Sequence, residues 1–205
     1  RNSHHMRWQH LDRLKSIFPY SVEGKQRHAI YISSDDRCRM EEVLKKDVGE
    51  KQNFIVIAPG AADQKKRWSE EGFAVVSDAI IERYRLRVIF VGDAGDQRVA
   101  KSIMSKMRHP VIDLTGKTTL PQLAFLLERS VFTIVNDSAP LHLASYLNVP
   151  VLALFGPTSP QQYGPWSLHN CVIRKHETCR ACSGPGKEIR HTCMESIAVE
   201  DMLNA

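Results

Sequence analysis

The sequence predicts an α/β fold, a Rossmann-like parallel sheet with helices on both faces. Three observations predict it. Short, nearly continuous runs of Val, Ile, Leu and Phe recur from Phe54 onward, helically periodic stretches lie between them, and small or polar residues follow the runs. Strands covered on both faces lose the apolar–polar alternation, and parallel strands need a crossover, usually a helix. Ligands of such folds sit beyond the carboxyl ends of the strands, so the residues just after each run carry the information.

The elements follow in order. Strands are expected at Phe54–Ile57, Val88–Val91, Val111–Leu114, Val131–Val135 and Pro150–Phe155, with helices at Glu70–Arg83, Gly95–Met107, Leu120–Glu128 and Ala139–Leu147. Ahead of them the pattern is weaker. Arg1-Asn2-Ser3-His4-His5-Met6 reads as a tag remnant and is left out of the fold. Leu11, Leu14 and Phe18 have helical spacing ending near Pro19, and His28–Ile32 reads as a strand. Ser34-Asp35-Asp36 then caps a helix carrying Met40, Val43 and Leu44 on one face. Residues 1–6 are therefore expected to be a tag, 7–52 a linker and remnant of an interdomain region, and 53–205 the Rossmann-like domain with a cysteine-containing tail.

Composition narrows the function classes. The 205 residues are 42% hydrophobic and 25% charged, which fits a packed domain rather than a disordered chain. No apolar run approaches the roughly 18 residues that span a bilayer, and no signal-peptide pattern opens the chain, so a soluble, unexported protein is expected. The net charge of +5 suits an anionic partner without choosing one. The basic residues are scattered and form no stripe interleaved with aromatics, which argues against nucleic acid.

The loops carry the chemistry. Pro59-Gly60-Ala61-Ala62 lets a backbone approach a ligand closely, and Lys65 and Lys66 supply point charge for phosphate oxygens. Ser69 is placed to cap the next helix, with Glu70 and Glu71 complementing its dipole. Taken alone, these residues read more simply as a basic surface loop. Gly92 and Gly95 fit a nucleotide loop or merely a tight turn. Gly116-Lys117-Thr118 resembles the end of a P-loop, but Val111 stands where that motif needs glycine, so a P-loop is rejected.

Asn136-Asp137-Ser138-Ala139-Pro140-Leu141-His142 is the most informative stretch. Pro140 belongs in a first helical turn, which makes Ser138 or Ala139 the cap. Free N–H groups there would face the strand ends, where a pyrophosphate could sit. A carboxylate, a hydroxyl and an imidazole at one helix start exceed what capping requires. Phe155-Gly156-Pro157-Thr158-Ser159-Pro160, followed by Tyr163-Gly164-Pro165-Trp166, forms a rigid loop at the same sheet edge.

P-G-A at 59–61, K-R-W at 66–68, N-D-S-A-P-L-H at 136–142 and F-G-P-T-S-P at 155–160, in this order, resemble the second domain of glycosyltransferase family nine, the ADP-heptose:lipopolysaccharide heptosyltransferases. The resemblance covers roughly residues 28 to 200. It implies the C-terminal half of a two-domain GT-B enzyme that binds ADP-heptose for transfer to the lipopolysaccharide inner core. By the same resemblance Lys66 contacts the diphosphate, Thr118 lies against the nucleoside, Asp96 binds ribose and Asp137 faces the sugar. Ser138 and Ala139 replace a threonine and a glycine whose backbone meets the diphosphate, and His142 matches the histidine of that turn. Alanine adopts positive φ less freely than glycine, so Ala139 is a departure that bears on backbone approach.

The family's first domain supplies the acceptor site and an aspartate base. The 205 residues are thus expected to hold no catalytic residue, to bind donor, and to transfer nothing alone. No cofactor or metal is expected. The implied partners are an ADP-sugar and, through the missing domain, a lipopolysaccharide core, with cytoplasmic location at the inner face of the inner membrane and peripheral membrane association. The rival reading is a non-catalytic Rossmann-type nucleotide-binding module.

Cys179, Cys182, His191 and Cys193 leave three readings open: reduced thiols stabilising a tail, a Cys₃His zinc site, or a disulfide. Cys38 is expected on a half-buried helix face and Cys171 on a strand.

Overall fold

A computed structural model describes residues 5, 6, 9, 30–50, 52–175 and 192–205. Its centre is a six-stranded, wholly parallel sheet in the order β3-β2-β1-β4-β5-β6. The strands are β1 Phe54–Ala58, β2 Arg87–Phe90, β3 Ile112–Asp113, β4 Thr133–Asn136, β5 Val151–Leu154 and β6 Asn170–Ile173. Five coincide with the expected runs. The sixth extends the one strand residue expected there, Cys171.

The helices are α1 Ser34–Val43, α2 Glu70–Tyr84, α3 Gln97–Lys106, α4 Leu120–Arg129, α5 Ala139–Tyr146, α6 Pro160–Tyr163 and α7 Val199–Leu203. Alternate residues of β1 feed two cores. Phe54, Val56 and Ala58 pack with α1, α4 and α5, whereas Ile55 and Ile57 pack with α2, α3 and α7. Each of the four larger side chains, Phe54 to Ile57, contributes about 1.5–3 kcal/mol through burial, and burial on both faces is why β1 reads as an unbroken apolar run.

Local chemistry sets the helix starts. Ser69 accepts from Gly72 N to cap α2, as expected. Thr119 and Gln122 form a reciprocal capping box at α4, and the Gln122 amide also donates to Asp36 on α1. At α1 the cap is Ser33, one residue before the expected Ser34-Asp35-Asp36, because its hydroxyl accepts from Asp36 N. A π-helical turn, Leu44–Val48, extends α1. Met40 and Val48 enter the sheet's core, so residues 30–50, assigned from sequence to an interdomain connection, pack against the domain.

Two expectations need correction. Ile30–Ile32, the described part of the expected strand His28–Ile32, is not in the sheet. Ile32 is buried and Tyr31 exposed, so its apolar alternation serves packing against the core rather than strand pairing. Cys38 is exposed rather than half-buried, since α1 turns Met40 toward the core instead. The expected helix at Leu11–Phe18, and Cys179, Cys182 and His191, lie outside the described residues; Cys193 is buried.

The sheet order has one functional consequence. The chain builds β1, β2 and β3 outward in one direction, then returns to place β4 on the other side of β1. The loops after β1 and β4 therefore diverge and leave a crevice at the carboxyl edge.

Candidate functional site

The loop after β1 is anchored before it is functional. Trp68 is buried in the α2 face, stands edge-on to Phe73, and donates its indole N–H to Ile197 O at 2.9 Å. Asn136, at the end of β4, donates from its amide to Pro59 O at 2.7 Å and accepts from Trp68 N at 3.3 Å. One buried amide thus clamps both ends of the loop. With Trp68 fixed inward, the preceding Lys66 extends over the strand ends, and Arg67 donates to Ala61 O at 2.7 Å.

A cavity of about 610 Å³ occupies the crevice. Lys66, Asp96, Thr118, Asp137, Ser138, Ala139 and His142 all line it. Every site residue expected from sequence therefore meets the same space. Gly60, Ala61, Asp63, Asp93, Leu120, Leu123 and Tyr163 complete much of the wall. Leu120 and Leu123 give it an apolar side beside Thr118, whereas Lys66 and Asp137 give it a charged side.

Lys66 and Asp137 are paired, with Nζ 2.8 Å from Oδ2. The Asp137 side chain is 4% exposed and Lys66 is 26% exposed, so the cation remains reachable while the carboxylate is nearly enclosed. Thr158 Oγ1 donates to the same Oδ2 at 2.6 Å. Lys66 Nζ also lies 6.0 Å from the centre of the Tyr163 ring. Sequence reasoning placed Thr158 and Tyr163 in a rigid loop at this edge but gave neither a role. The F-G-P-T-S-P motif at 155–160 is the available signal for Thr158.

Asp96 sits deeper. Its carboxylate accepts from Asp93 N at 3.2 Å in a capping box and lies 3.8 Å from Arg67. Burial, aided by neighbouring Asp93, pushes its pKa upward, against the hydrogen bond from Asp93 and the charge of Arg67. Burial lowers the His142 pKa; Asp137 opposes this, while His5 and Lys66 add to it. The His142 ring stacks on Trp166 at 5.8 Å with 14° between planes.

Ser138 is the N-cap residue of α5, but its hydroxyl donates to Asn136 O at 3.2 Å and makes no capping bond. The α5 start thus faces the cavity without a side-chain cap, an arrangement suited to an anion. Gly116 has φ +71°, which explains glycine in Gly116-Lys117-Thr118, and Lys117 turns away to donate to Asp113 O at 2.7 Å. Only Thr118 of that trio lines the cavity.

A second groove of about 570 Å³ lies at the opposite ends of β4, β5 and β6, where Val131, Phe132 and Pro150 line it. Among the described residues no lysine or arginine borders it, in contrast to the cavity that holds Lys66. Among the described residues, no three His, Cys, Asp or Glu side chains group as a metal site would require. No described helix is long and apolar enough to cross a membrane.

Doubly wound topology, a crevice at the switch point, a reachable lysine and an uncapped helix start define a Rossmann-type domain whose cavity suits an anionic ligand. The family model for glycosyltransferase family 9 (heptosyltransferase) matches residues 9–192, and the chain belongs to that family. It is 36% identical over 158 residues to lipopolysaccharide heptosyltransferase 3 of Escherichia coli, covering 75% of this chain and 46% of that protein. The chain spans less than half the length of the heptosyltransferase 3 proteins it matches.

Among solved structures, the family 9 glycosyl transferase from Veillonella parvula DSM 2008 superposes with a TM-score of 0.86 at 26% identity, over 99% of this chain and 59% of that one. E. coli ADP-heptose lps heptosyltransferase II gives a TM-score of 0.73 at 24% identity, over 90% of this chain and 54% of that one, which shows the shared fold.

Proposed function

We propose that this chain is the donor half of a GT-B heptosyltransferase, binding ADP-heptose in the cavity between the loops after β1 and β4. The observation that carries the proposal is the convergence of all seven sequence-read donor residues on one cavity holding a reachable cation beside a buried carboxylate. In this assignment Lys66 and the start of α5 hold the diphosphate, Ser138 and Ala139 approach it through their backbone, and His142 borders it. Thr118 and the apolar wall receive the nucleoside, Asp96 the ribose and Asp137 the sugar.

The reaction proposed is displacement at the anomeric carbon by an acceptor hydroxyl, with the C–O bond to diphosphate breaking and ADP leaving. Lys66 and the α5 N–H groups offset the charge that grows on the diphosphate. Deprotonation of the acceptor, the inner core of lipopolysaccharide, is assigned to groups outside these 205 residues, which place the donor only. The work would take place in the cytoplasm, with peripheral contact at the inner face of the inner membrane.

A non-catalytic nucleotide module is the weaker reading, because a diphosphate alone gives no reason for Asp137 beside it. Calorimetric titration with ADP, UDP and GDP tests the proposal. ADP should bind most tightly; equal or tighter UDP binding would assign the cavity to a different donor.

A further inference from the structure

Asp137 has two partners, and both meet the same oxygen. Lys66 Nζ lies 2.8 Å from Oδ2, and Thr158 Oγ1 donates to Oδ2 at 2.6 Å. Among the described residues Oδ1 has no partner, yet it is not one of the sealed polar atoms, and Asp137 lines the cavity. The carboxylate is therefore held at one oxygen and open at the other.

The two partners differ in kind. Lys66 is a long, partly exposed cation that the proposed function also gives to the diphosphate, and one ammonium serving two anions is drawn away from the first. Thr158 is a short β-branched side chain with restricted χ1, on the loop between β5 and α6. It is not among the described residues that line the cavity, and its hydroxyl bonds to Asp137, which is. Hydrogen bonds to a charged acceptor are directional and are the stronger kind.

We infer that Thr158 is a positioning residue, which holds Asp137 Oδ2 while the diphosphate engages Lys66 and so keeps Oδ1 turned to the sugar of the donor. The inference rests on the proposed function. It makes the loop after β5 a determinant of selectivity between the sugar-bearing nucleotide and the bare one.

The test is calorimetry of the 205-residue chain with ADP and with ADP-heptose, using the wild type, Thr158→Val, Thr158→Ser, Asp137→Ala and Thr158→Val with Asp137→Ala. Thr158→Val should lower the preference for ADP-heptose over ADP about tenfold, whereas Thr158→Ser, which keeps the hydroxyl, should stay within about threefold of wild type. In the Asp137→Ala background Thr158→Val should cost nothing further, the mark of a residue acting through its partner. If Thr158→Val unfolds, Thr158→Ala takes its place in the same comparison.

A full wild-type preference in Thr158→Val, or an undiminished loss when Asp137 is already absent, would overturn the role given to Thr158. A wild type with no preference for ADP-heptose would overturn the proposed function, and this inference with it.

Discussion

The Asp96 carboxylate lies directly against Gly60: a Cβ on Gly60 would stand 2.1 Å from the Asp96 carboxyl carbon. The glycine after β1 and the acid after β2 are thus one device, in which absence of a side chain on one makes room for the other. Gly60→Ala must displace Asp96 and break its capping box with Asp93. The expected cost is about 1–3 kcal/mol in chemical denaturation, as for other overpacked sites. ADP binding should weaken at the same time. The stability cost should shrink in an Asp96→Ala background; an undiminished cost would place the clash elsewhere.

Asn136 supplies the second prediction. Its amide donates to Pro59 O and its carbonyl accepts from Trp68 N, all in the buried region that holds the Lys66 loop. Asn136→Asp keeps the acceptor but replaces a donor with an oxygen facing a carbonyl. The loss should be about 3 kcal/mol of stability, since a buried acceptor is left facing another. A change below about 0.5 kcal/mol in urea denaturation would mean that the loop is held without this clamp.

His142 yields a pH dependence. Burial depresses its pKa below the ordinary 6.5, with Asp137 opposing and His5 and Lys66 assisting, while Trp166 covers one ring face. The unfolded chain therefore binds a proton that the folded chain resists. The stability His142 contributes is complete above about 6.5 and is lost as pH falls below it. Thermal unfolding of wild type and His142→Asn from pH 8 downward should show curves that converge as pH drops through that window. Parallel curves would remove His142 as the source.

The sheet was legible because burial on both faces leaves almost no polar interruptions: Phe54–Ala58 and Val151–Leu154 announce themselves as strands. The site was legible for a related reason. A doubly wound sheet gathers its loops at one edge, so the Lys66 loop and the Asp137–His142 turn could be expected together, whereas Asp96 and Thr118 were implied by the family resemblance. What could not be read was which of them touch. The Lys66–Asp137 pair joins two loops, and the Thr158 hydroxyl bond joins a third, through geometry that no local pattern encodes. Ser138 could be recognised as a cap position, but the direction of its hydroxyl depends on Asn136 O being within reach. The misread segment at Ile30–Ile32 has strand-like residues whose apolar alternation serves packing against the core rather than pairing.

In the proposed assignment Lys66 serves the diphosphate and Asp137 the sugar, although the two are joined at 2.8 Å in this structure. Titrating ADP and ADP-heptose into the wild type, Lys66→Ala and Asp137→Ala, with folding checked by circular dichroism, separates the roles most directly. Lys66→Ala should weaken both ligands alike, by roughly 1.5–3 kcal/mol for a charge-assisted contact, and toward the lower figure because ligand binding must first free the lysine from Asp137. Asp137→Ala should leave ADP unchanged or bound more tightly, since Lys66 is then released, while ADP-heptose weakens. If Asp137→Ala weakened ADP as much as ADP-heptose, the carboxylate would be organising the loop rather than meeting the sugar, and the account would be contradicted.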